Sequence, residues 1–497
     1  MAELIQSLRF FVPESLLIAG VLLVLAVDLV LPAGTRQRRG IAAGITLLTL
    51  AAAGLAGAGL CLPSLQPVPI FQGMAVADAY ASYFKLLFLV AAAVMTAAAY
   101  ASREAEQPRA TEFFALLLGM TLGLFLLVGA NTLLMIYLAL EFVSITSYIL
   151  TGFKRGDQRS AEAALKYVIY GATASGVMLF GFSYLYGLTG SLEIHDIGRA
   201  MAEKLAGAAS APERLTLALA AIMAFAGFGY KVAAVPFHMW CPDVYEGAPT
   251  PVTALLSVGP KAAGFAALMR FCIAVFGTAG GPWPALLGIV AACTMTLGNL
   301  AAIGQDNVKR LLAYSSIAHA GYMLLAVVAF SADGVAAVMF YLGVYVLMNL
   351  GAFVVVMAVR DSTGGREDIG AYHGLSQRNP LLAVTMTIFL LSLVGLPPLG
   401  GFIGKFYVFA ALLEKASLWY YVLALVGVLN SAISLYYYAR IIKAMFLTPP
   451  EAAAAEPLRP DRTHTLLALA LSVPVVGLGL YWVPLRTLVE GSMLLMP

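Results

Sequence analysis

Residues 225–240 read FAGFGYKVAAVPFHMW, and residues 393–409 read LVGLPPLGGFIGKFYVF. Each stretch is part of a long apolar run, and each joins one lysine, Lys231 or Lys405, to prolines or glycines that interrupt a helix. Such interruptions free backbone groups that lipid cannot satisfy, so they persist only where protein or a water-filled cavity covers them. The two stretches therefore predict two broken helices in a membrane protein, each with a lysine near its break.

The composition sets the environment of these helices. Of the 497 residues, 61% are hydrophobic and 11% are charged, which is typical of a polytopic membrane protein and leaves no soluble domain. The apolar composition makes the lipid bilayer an expected partner. The net charge of +3 is modest, so nucleic acid is not expected to bind. The cysteines form no CxxC or Cys/His cluster, which argues against an iron–sulfur centre, a structural zinc or a disulfide frame; they are Cys61, Cys241, Cys272 and Cys293.

Apolar runs of about 20 residues are long enough to cross the hydrocarbon core as helices. Cutting the sequence at its polar or Pro/Gly-rich breaks predicts an all-α protein with about 14 spans. The first run lacks a signal-peptide cleavage site, so we expect it to be a retained helix. The predicted spans are 14–31, 41–60, 78–100, 113–129, 131–152, 161–188, 214–235, 251–277, 283–303, 308–330, 334–359, 380–411, 418–445 and 464–487.

The broken spans are the seventh and the twelfth, and this odd offset turns the second one upside down relative to the first. Inverted repeats of this kind occur in secondary transporters, where functional charges lie near the midplane at the breaks. We predict two inverted five-helix repeats, with helices 4–8 in residues 113–277 and helices 9–13 in residues 278–447. Residues 1–112 would form helices 1–3, and residues 448–497 a loop and helix 14.

The basic residues predict the orientation. If the N-terminus lies outside, most of the 29 Lys and Arg residues fall in cytoplasmic loops, as the positive-inside rule requires. With an even number of spans, both termini are then expected on the outer side.

Five lysines and one glutamate lie within otherwise apolar stretches of the predicted spans, and a charge near the bilayer centre costs roughly 2.5 to 3.5 kcal/mol. They are Lys85, Lys166, Lys231, Lys261, Lys405 and Glu141. Burial disfavours a charged lysine and a nearby carboxylate favours it, so such a pair can load and unload a proton. Histidines and hydroxyls between the lysines would extend the path. The predicted proton path contains Glu141, Lys166, Lys231, Lys261, His319 and Lys405, with His238 as a further candidate.

Structural explanations compete with this interpretation. Lys85 and Lys166 lie near span ends, from which a lysine can reach the membrane surface. Glu141 could hold two helices together in an ion pair, and His319 and His238 could be hydrogen-bonded packing residues.

Three stretches carry a family resemblance: residues 231–263, 307–324 (NVKRLLAYSSIAHAGYML) and 393–409. With a glutamate in the fifth span, they closely resemble the antiporter-like membrane subunits of respiratory complex I, over residues 78–445. Within this family the chain is most similar to the subunit N branch. It has Lys405 where subunit M has glutamate, it ends soon after the last span, and Tyr245 and Glu246 precede GAPTPV.

The resemblance implies a proton-translocating, non-redox subunit of NADH:quinone oxidoreductase in the bacterial inner membrane. NADH, FMN, iron–sulfur clusters and quinone would be held by partner subunits, and the neighbours would resemble subunits K and M. Glu141 would pair with Lys166 and tune Lys231, and Lys261 would pass the proton onward. His319 would lie on the polar axis and Lys405 at its end, with Tyr437 as a further candidate.

Three alternatives remain open from the sequence. An Mrp-type cation/proton antiporter subunit would share nearly all these motifs and would exchange sodium for protons. A membrane subunit of an energy-converting hydrogenase would couple to hydrogen or ferredoxin. In a structural scaffold, the buried charges would serve only as assembly ion pairs.

Overall fold

A computed structural model describes residues 2–32, 36–58, 66–105, 110–207, 211–277, 282–450 and 456–493. Its α-helices, numbered in chain order, are α1 Ala2–Phe10, α2 Val12–Val30, α3 Arg36–Ala58, α4 Ala79–Ala101, α5 Ala110–Val128, α6 Leu133–Thr151, α7 Gln158–Thr189, α8 Ile194–Ala206, α9 Ala211–Val232, α10 Trp240–Gly247, α11 Thr250–Phe276, α12 Trp283–Ile303, α13 Val308–Val328, α14 Ala332–Ser362, α15 Leu375–Arg378, α16 Pro380–Val394, α17 Gly400–Leu413, α18 Leu418–Phe446, α19 Arg462–Leu480 and α20 Val483–Gly491. Short 3₁₀ turns occupy Arg103–Ala105 and Ile369–Tyr372.

The prediction of about 14 membrane crossings is confirmed. In the described part of the chain, 13 helices are long and apolar enough to cross a membrane. The helices α16 and α17 are each too short alone, and together they form one further, broken crossing. The seventh crossing is broken too, because α9 ends at Val232 and its continuation α10 begins at Trp240.

Polar side chains at the loop ends explain where several helices begin. Asp78 accepts a hydrogen bond from the Ala81 amide at the start of α4, and Thr132, Asp157 and Ser331 cap α6, α7 and α14 in the same way. Each cap satisfies a backbone N–H group that has no partner within its helix. The α7 helix ends at Gly190, whose left-handed φ of 73° suits glycine.

Two units of five crossings make up the centre of the chain. The first unit is α5, α6, α7, α9 with α10, and α11; the second is α12, α13, α14, α16 with α17, and α18. The third crossing of each unit is long, at 32 residues in α7 and 31 in α14, and the fourth is broken. Because five crossings separate equivalent helices, the two units run in opposite directions through the membrane. Other helices enclose α11, α13 and α14 almost completely.

Smaller elements connect or flank the crossings and were not predicted as separate elements. The amphipathic helix α8 connects α7 to α9, and α1 and α20 lie at the two ends of the described chain. The strands β1 (Val68–Ile70) and β2 (Ala75–Ala77) form an antiparallel hairpin in which Val68 pairs with Ala77. We call the side with the α4–α5, α6–α7, α12–α13 and α14–α15 connections the basic face; it carries Arg103, Lys154 and Arg366.

Candidate functional site

Lys231 ends the first half of the seventh crossing. Only 2% of this residue is exposed, and its Nζ donates a hydrogen bond to Ser144 Oγ of α6 at 2.8 Å. Protein groups satisfy the broken backbone, since the Ala234 amide donates to the Gly229 carbonyl and the Val235 amide to Thr294 Oγ1. The break therefore persists for the predicted reason, that neighbouring helices cover it.

Lys261 lies on the enclosed helix α11, which packs against the Lys231 side chain. A Cβ atom at Gly264 would be 2.9 Å from Lys231 Cγ, so this glycine lets the Lys231 stem pack against α11 one turn beyond Lys261. Lys261 Nζ donates to both the carbonyl oxygen and Oγ of Ser316 on α13, each at 2.5 Å. Tyr345 OH donates to the same Ser316 Oγ at 2.9 Å. The Lys231 stem thus packs against the helix that carries Lys261, and Lys261 is hydrogen-bonded to the second repeat.

His319 lies about one turn beyond Ser316 on α13 and is buried among tyrosines. Its Nδ1 is 2.6 Å from Tyr341 OH, and its Nε2 is 3.4 Å from Tyr438 OH. Tyr438 also hydrogen-bonds Ser315. Both ring nitrogens of His319 therefore face hydroxyls that can donate or accept a proton.

Lys405 lies in α17, just after the second break. Its Nζ donates to the Val394 carbonyl oxygen at 2.8 Å and to Ser431 Oγ at 3.1 Å. The same ammonium lies 4.2 Å from the centre of the Tyr322 ring, a cation–π distance. Lys405 is thus held by its own broken helix, by α18 and by α13.

Tyrosines and one asparagine complete the polar axis, and all of them except Tyr437 were missed from the sequence. Asn299 Nδ2 donates to Tyr322 OH at 3.2 Å, and Tyr437 OH donates to Asn299 Oδ1 at 3.0 Å. The candidate Tyr437 therefore joins this axis through Asn299. A usable signal was present, because Tyr341 and Tyr345 are spaced i, i+4 within one apolar span.

The predicted ion pair between Glu141 and Lys166 does not form. Lys166 Nζ instead contacts Asp243 Oδ2 and Glu162 Oε1, both at 2.7 Å. Glu141 Oε1 is buried and has no hydrogen-bond partner among the described residues. Glu141 interacts electrostatically with Lys231 and lies one turn before Ser144, the partner of that lysine.

Helix geometry explains this correction. Tyr167, next to Lys166, packs against Tyr148, which lies about two helical turns beyond Glu141 on the antiparallel helix α6. Side chains lean toward the N-terminus of their own helix, so Lys166 points toward the basic face and Glu141 points away from it. The sequence spacing could not reveal that the two side chains diverge.

Two other residues singled out in the sequence, Lys85 and His238, lie outside the contacts described above. Lys85 pairs with Glu14 at 2.6 Å and lies 5.5 Å from the centre of the Phe125 ring. His238 lies in the first break, 8% exposed, and its Nδ1 has no hydrogen-bond partner among the described residues. Within those residues no group of His, Cys, Asp or Glu suits a metal ion, and Cys61 lies outside them.

Glu104 anchors the basic face. This carboxylate contacts Lys154 and Arg360 and accepts a hydrogen bond from the Thr250 amide at the start of α11 at 2.9 Å. Burial would raise the pKa of Glu104, but Lys309, Lys154 and Arg360 lower it to about 2. One acidic loop residue thus joins helices of both repeats.

Comparisons with known proteins agree with this architecture. The family described as "NADH:quinone oxidoreductase/Mrp antiporter, TM" matches residues 130–434. A relative from Anaeromyxobacter sp. (strain Fw109-5), "NADH-quinone oxidoreductase subunit N", is 49% identical over 99% of this chain and 97% of its own length.

Solved structures share the fold. A chain of "Respiratory complex I from Thermus thermophilus with bound Aureothin" is 33% identical, covers 96% of this chain and 98% of that one, and gives a TM-score of 0.78. A chain of the Mrp complex from Dietzia sp. DQ12-45-1b, 22% identical with 97% coverage of both chains and a TM-score of 0.80, shows the fold alone. The chain therefore belongs to the NADH:quinone oxidoreductase/Mrp antiporter membrane-subunit family and, within it, to subunit N of NADH-quinone oxidoreductase.

Proposed function

We propose that this chain moves protons across the bacterial inner membrane as subunit N of an NADH:quinone oxidoreductase. The observation that carries the proposal is the row of buried titratable side chains that crosses both repeats: Lys231, Lys261, His319 and Lys405. Each of them is at most 3% exposed, and each has a hydroxyl within hydrogen-bond range. Titratable groups are costly inside a membrane, so their presence there usually marks a functional site.

The contacts suggest an order for proton transfer. The proton moves from Lys231 to Lys261, whose helix contacts the Lys231 stem at Gly264, and the Ser316 hydroxyl relays it from Lys261 one turn toward His319. Tyr341 and Tyr438 flank His319 and can relay the proton by donating and accepting through one hydroxyl. Lys405 receives it at the second break. Glu141 acts by stabilising the positive charge on Lys231.

Redox chemistry belongs to partner subunits in this proposal. NADH, FMN, iron–sulfur clusters and quinone are held by other chains, and quinone chemistry in neighbouring subunits perturbs Glu141 and Lys166. The neighbours resemble subunit K, toward the quinone site, and subunit M, on the far side. The repeats span residues 113–277 and 278–447, and His238 is a further proton-path candidate at the first break. Both termini lie on the periplasmic side, so the basic face is cytoplasmic.

The test uses the assembled complex in inverted membrane vesicles. Replacing Lys231 by Met is expected to leave the complex assembled, as judged by its subunit content, and to lower NADH-driven proton uptake at least fivefold. The matched control is the double variant Lys85→Met/Glu14→Gln, which removes a buried charge pair outside the row and should retain uptake.

The same vesicles separate the alternatives. Normal NADH-driven uptake with lost sodium/proton exchange would move the chain to the cation-antiporter function. Coupling to ferredoxin or hydrogen instead of NADH would favour an energy-converting hydrogenase. Failure of Lys231→Met to assemble, with Lys231→Arg assembling and pumping normally, would favour the scaffold role.

A further inference from the structure

A charged cavity of about 310 Å³ opens on the basic face at the boundary between the two repeats. It lies between the long helix α7 and the half-helix α10 of the first repeat and the helix α13 of the second. Its charged lining consists of three basic and three acidic residues: Arg159, Glu162, Lys166, Asp243, Glu246 and Arg310.

Asp243 is the bridge in this cavity. Its Oδ2 accepts from Lys166 Nζ at 2.7 Å, and its Oδ1 accepts from Arg310 Nη1, also at 2.7 Å. Each cation has one further carboxylate: Glu162 lies 2.7 Å from Lys166, and Glu246 lies 2.9 Å from Arg310. Asp243 therefore forms ion pairs with both cations, whereas each glutamate pairs with only one of them.

The position of Asp243 is coupled to Lys231 through aromatic contacts. Trp240, in the same short helix α10, stacks on Tyr167 with 4.4 Å between ring centres. Trp240 Nε1 also donates to the carbonyl oxygen of Tyr230, the residue before Lys231, at 3.0 Å. Tyr230 OH in turn donates to the carbonyl oxygen of Tyr167 at 3.1 Å. A shift of α10 would therefore displace the end of α9, where Lys231 lies.

We propose that Asp243 is a positioning residue for proton transfer: it holds the Lys166 ammonium in the cavity and, by sharing its carboxylate with Arg310, links that position to α13, the helix of His319. The inference rests on the proposed function. Without Asp243, Lys166 keeps only Glu162, which is 64% exposed, and an exposed pair of this kind holds its side chains weakly. Arg310 would retain Glu246, so one ion pair between α10 and α13 would remain, but the shared carboxylate that connects Lys166 to Arg310 would be lost.

The experiment measures proton uptake and quinone reduction in inverted vesicles that contain the assembled complex. Asp243→Asn is expected to lower the number of protons taken up per quinone reduced at least threefold, and Asp243→Glu to restore at least half of the loss. Glu246→Gln, on the same half-helix and against the same arginine, is expected to have less than half the effect. Asp306→Asn removes a carboxylate of an ion pair elsewhere on the basic face and should leave the ratio unchanged.

Two results would overturn the proposal. One is a wild-type ratio in an assembled Asp243→Asn complex. The other is an equal loss in Glu246→Gln, which would mean that both carboxylates of α10 are needed alike and that the bridging position of Asp243 has no special role. If Asp243→Asn does not assemble, Arg310→Lys decides, because lysine keeps the charge but replaces the guanidinium by a compact ammonium. A twofold or larger fall in the ratio then supports the bridge, and a wild-type ratio contradicts it.

Lys231→Met, measured in parallel, keeps this test separate from that of the proposed function. Normal pumping by Lys231→Met would overturn the proposed function itself. Loss in Lys231→Met with a wild-type ratio in Asp243→Asn would remove only the positioning role.

Discussion

Lys405 donates a hydrogen bond to the carbonyl oxygen of Val394 across the second helix break, with 2.8 Å between Nζ and oxygen. The last carbonyl groups of a helix have no partner within that helix and carry partial negative charge. The ammonium therefore satisfies the end of the half-helix α16, and the break in turn holds the ammonium inside the membrane. In the proposed function, one residue thus serves both the fold and the proton path.

Replacing Lys405 by Met should impair both the fold and proton uptake, and replacing it by Arg should separate the two effects. The substitution leaves the Val394 carbonyl without a donor, which costs about 1 to 3 kcal/mol for a buried group. We expect a lower thermal unfolding midpoint of the purified complex and at least fivefold less proton uptake. Lys405→Arg keeps a donor and is expected to recover the midpoint more than the uptake; full recovery of uptake would argue against proton transfer through this residue.

Gly395 is expected to tolerate no side chain. Its φ of 88° lies in the left-handed region, and an added Cβ would be 2.8 Å from Lys405 Cδ. Gly395→Ala should therefore destabilise the protein by about 1 to 2 kcal/mol from the backbone alone and displace Lys405. Thermal unfolding and vesicle uptake should both fall. Gly477→Ala, inside α19, is the control, since no described atom outside the nearby backbone of its own helix lies within 4 Å of its added Cβ, and it should lower neither.

Tyr438 should matter for transport more than for stability. Tyr438→Phe removes the hydroxyl that joins Ser315 to His319, while the ring and its packing remain. We expect proton uptake to fall at least threefold and stability to fall by about 1 kcal/mol, the usual value of one hydrogen bond. Tyr436→Phe, two residues away and 59% exposed, is the matched control. Equal uptake in the two variants would remove Tyr438 from the relay.

Glu104 should make stability depend on acidity. Its pKa is lowered from 4.5 to about 2, so the folded state favours the carboxylate. This stabilisation, at most roughly 3 kcal/mol, is complete above the unfolded-state pKa and is lost as the pH falls from about 5 toward 2. Glu104→Gln should therefore lower the unfolding midpoint at pH 7, with the difference from the unaltered protein shrinking toward pH 3. A difference that is independent of pH would contradict the assignment.

A double-mutant cycle should test the corrected pairing of Lys166. Residues in direct contact show coupled effects, whereas distant residues act additively. We expect Lys166→Met and Asp243→Asn to be non-additive in the logarithm of proton uptake. Lys166→Met and Glu141→Gln should be nearly additive, because no ion pair joins these two side chains among the described residues. Strong coupling between Glu141 and Lys166 would restore the original pairing.

Much of the predicted proton path could be recognised from the sequence because lipid does not solvate charged or unpaired polar groups. A lysine or a proline inside a long apolar run is costly, so Lys231, Lys261 and Lys405 and the two breaks stood out without any structure. Tyrosines carry no such cost signal, because one hydroxyl on an aromatic ring fits a lipid-facing, interfacial or packing position equally well. Tyr341, Tyr345 and Tyr438 were therefore missed although they contact the predicted residues.

By itself, the sequence determined the number of crossings, the two breaks and the row of lysines, since these depend on local hydropathy and backbone chemistry. The tertiary structure alone decided which charges meet. Lys166 faces Asp243 and not Glu141 because the antiparallel packing of α6 and α7, and the lean of their side chains, separate two residues that the family resemblance had implied as a pair. Partner choice depends on helix rotation and depth, and neither is written in the spacing of residues along one chain.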